Sequence, residues 1–329
     1  MAIIAVAGGS SPTLGHAIVS ALSLTPNTPV ILSRQTASTP TPDLETNLST
    51  STSINSATGA AIETRYVDYS SPASLRAALA GVHTLICVLF VADSDEWVAV
   101  QTQLLHAAEA AGCKRFVPCE FGFGAAEKDV AITGVAKERV WAACRASRLE
   151  CTRFSCGVFM NYLALGRPFA SGEAREVALA GLQDEPFLFD FQQGVAELPV
   201  RDAGAFPRVS FTLLHDVGRF VAAACMLTEG SWLEEMSMVG ETMRLDDVVE
   251  LVRSVLGIEL EIIGLSKEEL WRRADGIQGI GQTPLEMHRK MVAQLDLAML
   301  DDEAALEPVC NQICFLVKPM GIKEFLQIS

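Results

Sequence analysis

The stretch IIAVAGGSSPTLG, Ile3 to Gly15, decides how this chain folds. Residues 3–7 are small apolar β-formers, and from Leu14 to Leu24 the pattern turns helical. A strand, a tight turn and a helix start form, in that order, an anion site. The backbone N–H groups point outward, and the helix dipole favours negative charge. Gly8 and Gly9 make the turn, and Gly15 lets the helix pack on the sheet. Between them stand Ser10, Ser11, Pro12 and Thr13, where a further glycine is expected. Pro12 removes one N–H donor, and the three hydroxyls offer side-chain hydrogen bonds in its place. Residues 8–15, with Leu14 opening the helix, are therefore read as a loop that cradles the phosphates of a dinucleotide. The alternative is a tight strand–helix turn without a ligand, which needs glycines for the same reason.

The chain then alternates. PVILSR (29–34) suits a buried parallel strand. Residues 35–61, dominated by Ser, Thr, Ala and Pro, have no periodicity and predict a long mobile surface loop. Strand character restarts at ETRYVDYS (63–70), and SPASLRAALAG (71–81) is a helix with a Ser-Pro start and a glycine stop. HTLICVLF (83–90) reads as a strand, Val98 to Ala111 as a helix closed by Gly112, and KRFVPCEFG (114–122) as a strand running into a loop. Residues 136–148 are helical, and ECTRFSCGVF (150–159) is the next strand. Such alternation predicts an α/β fold with a doubly wound parallel sheet. Ligands of such sheets bind at the carboxyl ends of the strands.

After residue 163 the texture changes. Residues 165–210 are irregular and rich in Gly, Phe and Asp. Helices follow at 215–227, with Asp216 as N-cap, at 245–257, at 266–274, where Ser266 and Glu269 form a capping box, and at 285–300. Residues 258–265 read as a strand. Two domains are expected: 1–163 binding the dinucleotide, and 164–329 forming a smaller substrate-binding lobe interleaved with the end of the main sheet. PFLFDFQQG (186–194) suggests an apolar, aromatic-lined pocket for a hydrophobic small molecule.

Composition narrows the classes. A net charge of −15 with no Lys or Arg block argues against a nucleic-acid surface. No run approaches the ~20 apolar residues of a membrane span, and the start of the chain reads as a first strand rather than a signal peptide. The nine scattered cysteines suit a reducing, cytoplasmic setting. Cys310 and Cys314 could share a helix face, but no His or Cys cluster completes a metal site, so no metal is expected. A homo-oligomer is compatible with the sequence.

The second strand ends in Ser33-Arg34. Dinucleotide folds read the adenosine ribose there, where an acid favours a free 2′-hydroxyl and an arginine accommodates a 2′-phosphate. The nearest acid downstream is Asp43, inside the expected loop, so NADPH is expected over NADH. For Arg34 the alternative is a solvated surface charge.

AAEAAGCKRFVPCEFG (107–122) and GVAKERVWAACRASRLECTRFSCGVFMNYL (134–163) bring in a family. Over residues 2–260 the chain resembles the NmrA-like proteins and their isoflavone reductase-like relatives, atypical short-chain dehydrogenases/reductases with a Rossmann-type fold. The likeness is most specific at Gln101, RFVPCEFG, Lys137 and GVFMNYL. These relatives carry PSEFG, and this chain has Cys119 at the serine. The resemblance implies that Lys137 is the catalytic lysine beside nicotinamide and substrate. It places Thr133 where other short-chain dehydrogenases have tyrosine. A lysine there holds the cofactor and donates to a developing oxyanion; the alternative is an exposed helix lysine.

By the same resemblance Val88, Leu89 and Phe90 pass the middle of the cofactor, and Gln101 joins the cofactor-binding set. Pro118, Cys119, Glu120 and Phe121 border the nicotinamide, and Phe121, Phe159 and Asn161 frame the substrate. Core packing is an equal reading for the aromatics, and Glu120 could be a structural anchor. Cys119 is not read as a nucleophile, since no histidine is near it in sequence. The expected function is NADPH-dependent reduction of a C=C, C=N or C=O bond of a hydrophobic metabolite. Two alternatives stay open: a non-redox cyclase or isomerase on the same fold, and a non-catalytic NADP(H)-binding redox sensor.

Overall fold

Ile3–Ala7 forms strand β1, buried from Ile4 onward, because small apolar residues with no polar face suit the middle of a sheet covered on both sides. The computed structural model describes residues 1–34, 40, 48–55, 59–91, 93–128, 134–183, 185–202, 204–275 and 283–328. Contacts divide the chain into two units. The first is Met1–Glu120, Ala136–Phe154 and Val217–Met236; the second is Phe121–Val135, Ser155–Asp216 and Ser237–Ser329.

In the first unit β1 is followed by α1 (Leu14–Leu22), β2 (Thr28–Arg34), β3 (Ser49–Ile54), β4 (Ala61–Val67), α2 (Pro72–Ala78), β5 (Thr84–Cys87), α3 (Ser94–Ala111), β6 (Arg115–Val117), α4 (Gly134–Ala146) and β7 (Glu150–Cys151). The sheet order is β3-β4-β2-β1-β5-β6-β7. All pairs are parallel except β3 with β4. The chain thus winds outward in both directions from β1, the Rossmann-type arrangement. Leu75, Leu104, Val140 and Trp141 from the helices pack with Ala5, Leu32 and Leu85 from the sheet.

Helix signals hold locally. The Ser71 side chain accepts from the Ser74 N–H ahead of Pro72, and Gly112 ends α3 at φ +83. The Ser266 hydroxyl likewise accepts from the Glu269 N–H. Within the expected loop 35–61, residues 35–39, 41–47 and 56–58 lie outside the described ones, and Ser49–Ile54 is an edge strand rather than loop. The expected strand 150–159 also divides: Glu150–Cys151 pairs with β6, while Val158–Phe159 joins another sheet. Gly157, at φ +66, turns the chain between them, and the Cys156 and Gly157 N–H groups both donate to the Gly122 carbonyl at 2.9 Å.

Val217–Met236 completes the first unit. Arg115 of β6 is 1% exposed. Its guanidinium donates to Glu150 at 2.7 Å, to the Leu227 carbonyl at 2.9 Å and to the Thr228 carbonyl at 2.6 Å, and lies 4.4 Å from the Trp232 ring centre.

The second unit carries two three-stranded sheets. One joins β8 (Val158–Phe159), β11 (Arg208–Thr212) and β12 (Glu241–Arg244); the other joins β9 (Phe189–Asp190), β10 (Val195–Pro199) and β13 (Glu261–Leu265). Its helices are α5 (Gly172–Leu179), the start of α6 (Leu214–Ala224), α7 (Leu245–Leu256), α8 (Lys267–Asp275), α9 (Pro284–Met299), α10 (Val309–Ile313) and α11 (Ile322–Leu326). It is no shorter than the first unit, because it also takes chain from before residue 163. Asp216 is not an N-cap: it lies inside α6, and its Oδ2 accepts from the Met320 N–H at 2.8 Å. No helix among the described residues is long and apolar enough to cross a membrane.

Candidate functional site

Strand register assembles the site. Ala7 stands opposite Leu32 on one side and Cys87 on the other, and Ile86 stands opposite Val117. Gly8, Ser33-Arg34, Val88 and Pro118 therefore lie at the carboxyl ends of neighbouring strands. Beside β1 the winding direction reverses, and such sheets bind ligands there.

The turn is built without room for side chains. Gly8 has φ +85, and a Cβ there would lie 3.0 Å from Leu89 Cδ2 and 3.2 Å from Val88 Cγ2. A Cβ on Gly15 would lie 2.4 Å from the Gly8 carbonyl oxygen. The Ser11 N–H donates back to Gly8 O at 3.0 Å, and the Ser11 and Thr13 hydroxyls hydrogen-bond each other at 3.1 Å. Ser10 and Pro12 are exposed, and Leu14 is half-buried. The N–H groups of Ser10, Thr13, Leu14 and Gly15 make no hydrogen bond to any described residue. Donors left over at a helix start need an acceptor. The residues present thus fit a phosphate: backbone donors converge at a helix N-terminus, and glycines keep it open to close approach.

Arg34 is exposed at the end of β2, with Ser33 half-buried before it. Tyr69, outside the glycine and arginine signals of the sequence, braces this end of β2. Its hydroxyl donates to the Leu32 carbonyl at 3.0 Å. Burial raises the Tyr69 phenol pKa, helped by nearby Cys87; Arg34 and the Gly8 backbone act in the opposite direction. Position alone could have flagged Tyr69, since it follows β4 by two residues. Val88 and Leu89 are half-buried beside Gly8, while Phe90 is exposed and edge-on to Trp97 at 5.7 Å.

After β6, Pro118, Cys119 and Glu120 are buried. Gln101 of α3 is 2% exposed, and its Oε1 accepts from the Cys119 N–H at 2.7 Å. Its side chain therefore holds the loop that follows β6. Replacing Gln101 with methionine should leave that N–H without this acceptor and cost about 1–3 kcal/mol. The shift in denaturant midpoint measures it, and an unchanged midpoint would show that Gln101 does not hold the loop.

Lys137 of α4 reaches the same loop. Its Nζ donates to the Glu120 main-chain oxygen at 3.0 Å and lies 3.9 Å from Glu120 Oε2. It is 8% exposed, so the reading as a solvated helix lysine is set aside. Thr133 lies outside the described residues. Phe121 has φ +32, a strained backbone for a residue with a Cβ.

Phe121, Phe159 and Asn161 belong to the second unit. Phe159 is half-buried. Asn161 is fully buried; its Nδ2 donates to the Ala178 carbonyl at 2.8 Å and its Oδ1 accepts from the Leu214 N–H at 2.9 Å. That amide braces the chain between α5 and α6, which gives Asn161 a structural role.

Known proteins are similar to this chain in sequence or in fold. Oxidoreductase BOA1 of Botryotinia fuckeliana (strain B05.10) is 28% identical over 268 residues, 78% of this chain and 77% of that protein. The structure of AtPrR2 with NADP+ and (+)pinoresinol superposes at a TM-score of 0.72 with 17% identity, covering 99% of this chain and 98% of that one. The structure of isoflavone reductase superposes at 0.68 with 18% identity, covering 99% and 98%. At these identities the two structures speak for the fold. The NmrA-like family model matches residues 2–326, and the chain belongs to that family.

Proposed function

We propose that this protein is an NADPH-dependent oxidoreductase that reduces a C=C, C=N or C=O bond of a hydrophobic small molecule. The observation that carries the reading is the turn after β1, where four N–H groups lack a described partner and the glycines leave no space for a side chain. The relative named as an oxidoreductase, and the fold shared with a protein bound to NADP+ and pinoresinol, support it. The nucleotide supplies hydride when bound. The chain's own residues do the rest. The N–H groups of Ser10, Thr13, Leu14 and Gly15 bind phosphate oxygens, and Arg34 pairs with the 2′-phosphate. The Lys137 ammonium, aimed by the Glu120 carbonyl, donates to the oxygen or nitrogen where negative charge develops.

Titration of the purified chain with NADPH, followed by absorbance decay against a panel of aromatic enones, imines and ketones, tests the proposal. Absence of NADPH binding would overturn it. Arg34→Ala should weaken NADPH by more than about tenfold and change NADH little, since a charge-assisted phosphate contact contributes about 1.5–3 kcal/mol. Equal losses for both nucleotides would remove the 2′-phosphate assignment.

A further inference from the structure

In the second unit, α9 turns one side toward a cavity of about 740 Å³. Glu286, Arg289, Val292, Ala293 and Asp296 line it at spacings of three and four, so they share a helix face. The opposing wall sets Leu188, Phe189, Val195 and Ile263 among polar and charged residues.

Asp296 is anomalous there. It is 4% exposed, and its Oδ1 makes no hydrogen bond to any described residue. A buried acceptor in that state opposes folding. Arg273 acts on it but is already held by other carboxylates: Glu197 takes two of its nitrogens at 2.9 and 3.2 Å, and Glu269 takes the third at 3.3 Å. Burial pushes the Asp296 carboxyl well above the ordinary carboxylate range; Arg273 opposes this and Glu197 adds to it. The charges facing the cavity are Glu185, Asp190, Glu197, Glu286 and Asp296 against Arg273 and Arg289. Among the described residues no cluster of acids, histidines or cysteines suits a metal ion.

We propose that this cavity binds an organic cation: a primary or secondary ammonium on an apolar body, with the ammonium paired to Asp296 and the body against Leu188, Phe189, Ile263 and Val292. The site lies wholly in the second unit and does not depend on the dinucleotide reading. Burial favours the neutral acid in the empty cavity, and an entering ammonium favours the carboxylate. Binding therefore releases protons to the buffer, and no covalent bond is made. Affinity rises with pH until the ligand's own ammonium begins to deprotonate.

Calorimetric titration of the full chain, without dinucleotide, uses phenylbutylamine, phenylbutanol and phenylbutyrate as matched probes. The amine should bind more than about tenfold tighter than the alcohol or the acid, and buffers of different ionisation enthalpy should report protons released on binding. Asp296→Asn should cost the amine more than about tenfold while NADPH binding stays at its native value. Val292→Phe fills the cavity without touching the charge and should also block the amine. The proposal is overturned if the amine does not bind, if amine and alcohol bind alike, or if either folded variant binds the amine as the native chain does. NADPH binding without amine binding removes only this proposal; the reverse removes only the dinucleotide reading.

Discussion

Replacing Gly15 with alanine should abolish dinucleotide binding and destabilise the first unit. The added Cβ would sit 2.4 Å from Gly8 O and 3.0 Å from the Gly9 carbonyl carbon and Cα. These are backbone atoms, so no rotamer change relieves the clash. Either the turn opens or α1 slides away from β1, and both scatter the N–H groups of Thr13, Leu14 and Gly15. Overpacking commonly costs about 1–3 kcal/mol, and a clash with main chain belongs at or beyond the upper end. A loss of about 3 kcal/mol in binding is more than a hundredfold in affinity. Thermal unfolding and NADPH titration measure the two effects. Gly172→Ala is the control: nothing lies within 4 Å of its Cβ position, and it should weaken neither. Native affinity in the Gly15 variant would show that the phosphates sit elsewhere.

Lys137→Met should lower turnover by about 10²–10⁴-fold, the range for loss of a positioned proton donor, while dinucleotide affinity stays near native. The change also takes the ammonium away from the buried Glu120 carboxylate 3.9 Å distant. A residual buried charge lowers stability, which could mimic a catalytic defect. Lys137→Met combined with Glu120→Gln separates the two. The pair should recover much of the lost stability and none of the lost turnover. Rates measured at saturating NADPH decide the matter, and native rates in the folded single variant would remove Lys137 from the chemistry.

Where an element buries a continuous apolar run, the sequence showed it. β1, β2 and β5 were legible because parallel strands covered on both faces carry no polar alternation. Ser49–Ile54 was not legible, because an edge strand of Ser and Thr shows no apolar face; its stability comes from pairing with β4, which no local pattern reports. The run 150–159 reads as one strand since its residues are uniformly strand-like, yet Gly157 sends its ends to different sheets. At the site, glycine spacing and Arg34 were visible in order along the chain. Tyr69 and the Gln101–Cys119 bond depend on register between strands and helix, a long-range property. Asn161 is placed beside the substrate by the family resemblance alone; a buried amide bracing a carbonyl and an N–H group has the same residue signature as one facing a pocket.

The return of Val217–Met236 to the first unit carries a consequence for how the protein is made. Arg115 needs the carbonyls of Leu227 and Thr228 and the ring of Trp232, all supplied more than a hundred residues later. A nascent chain halted after Phe159 holds the glycine turn after β1, but its Arg115 guanidinium still has most of its partners unsynthesised. The first unit therefore closes only when Met236 has left the ribosome. By then Phe121–Val135 and Ser155–Asp216 of the second unit are already outside while Ser237–Ser329 has still to emerge, so the second unit closes last.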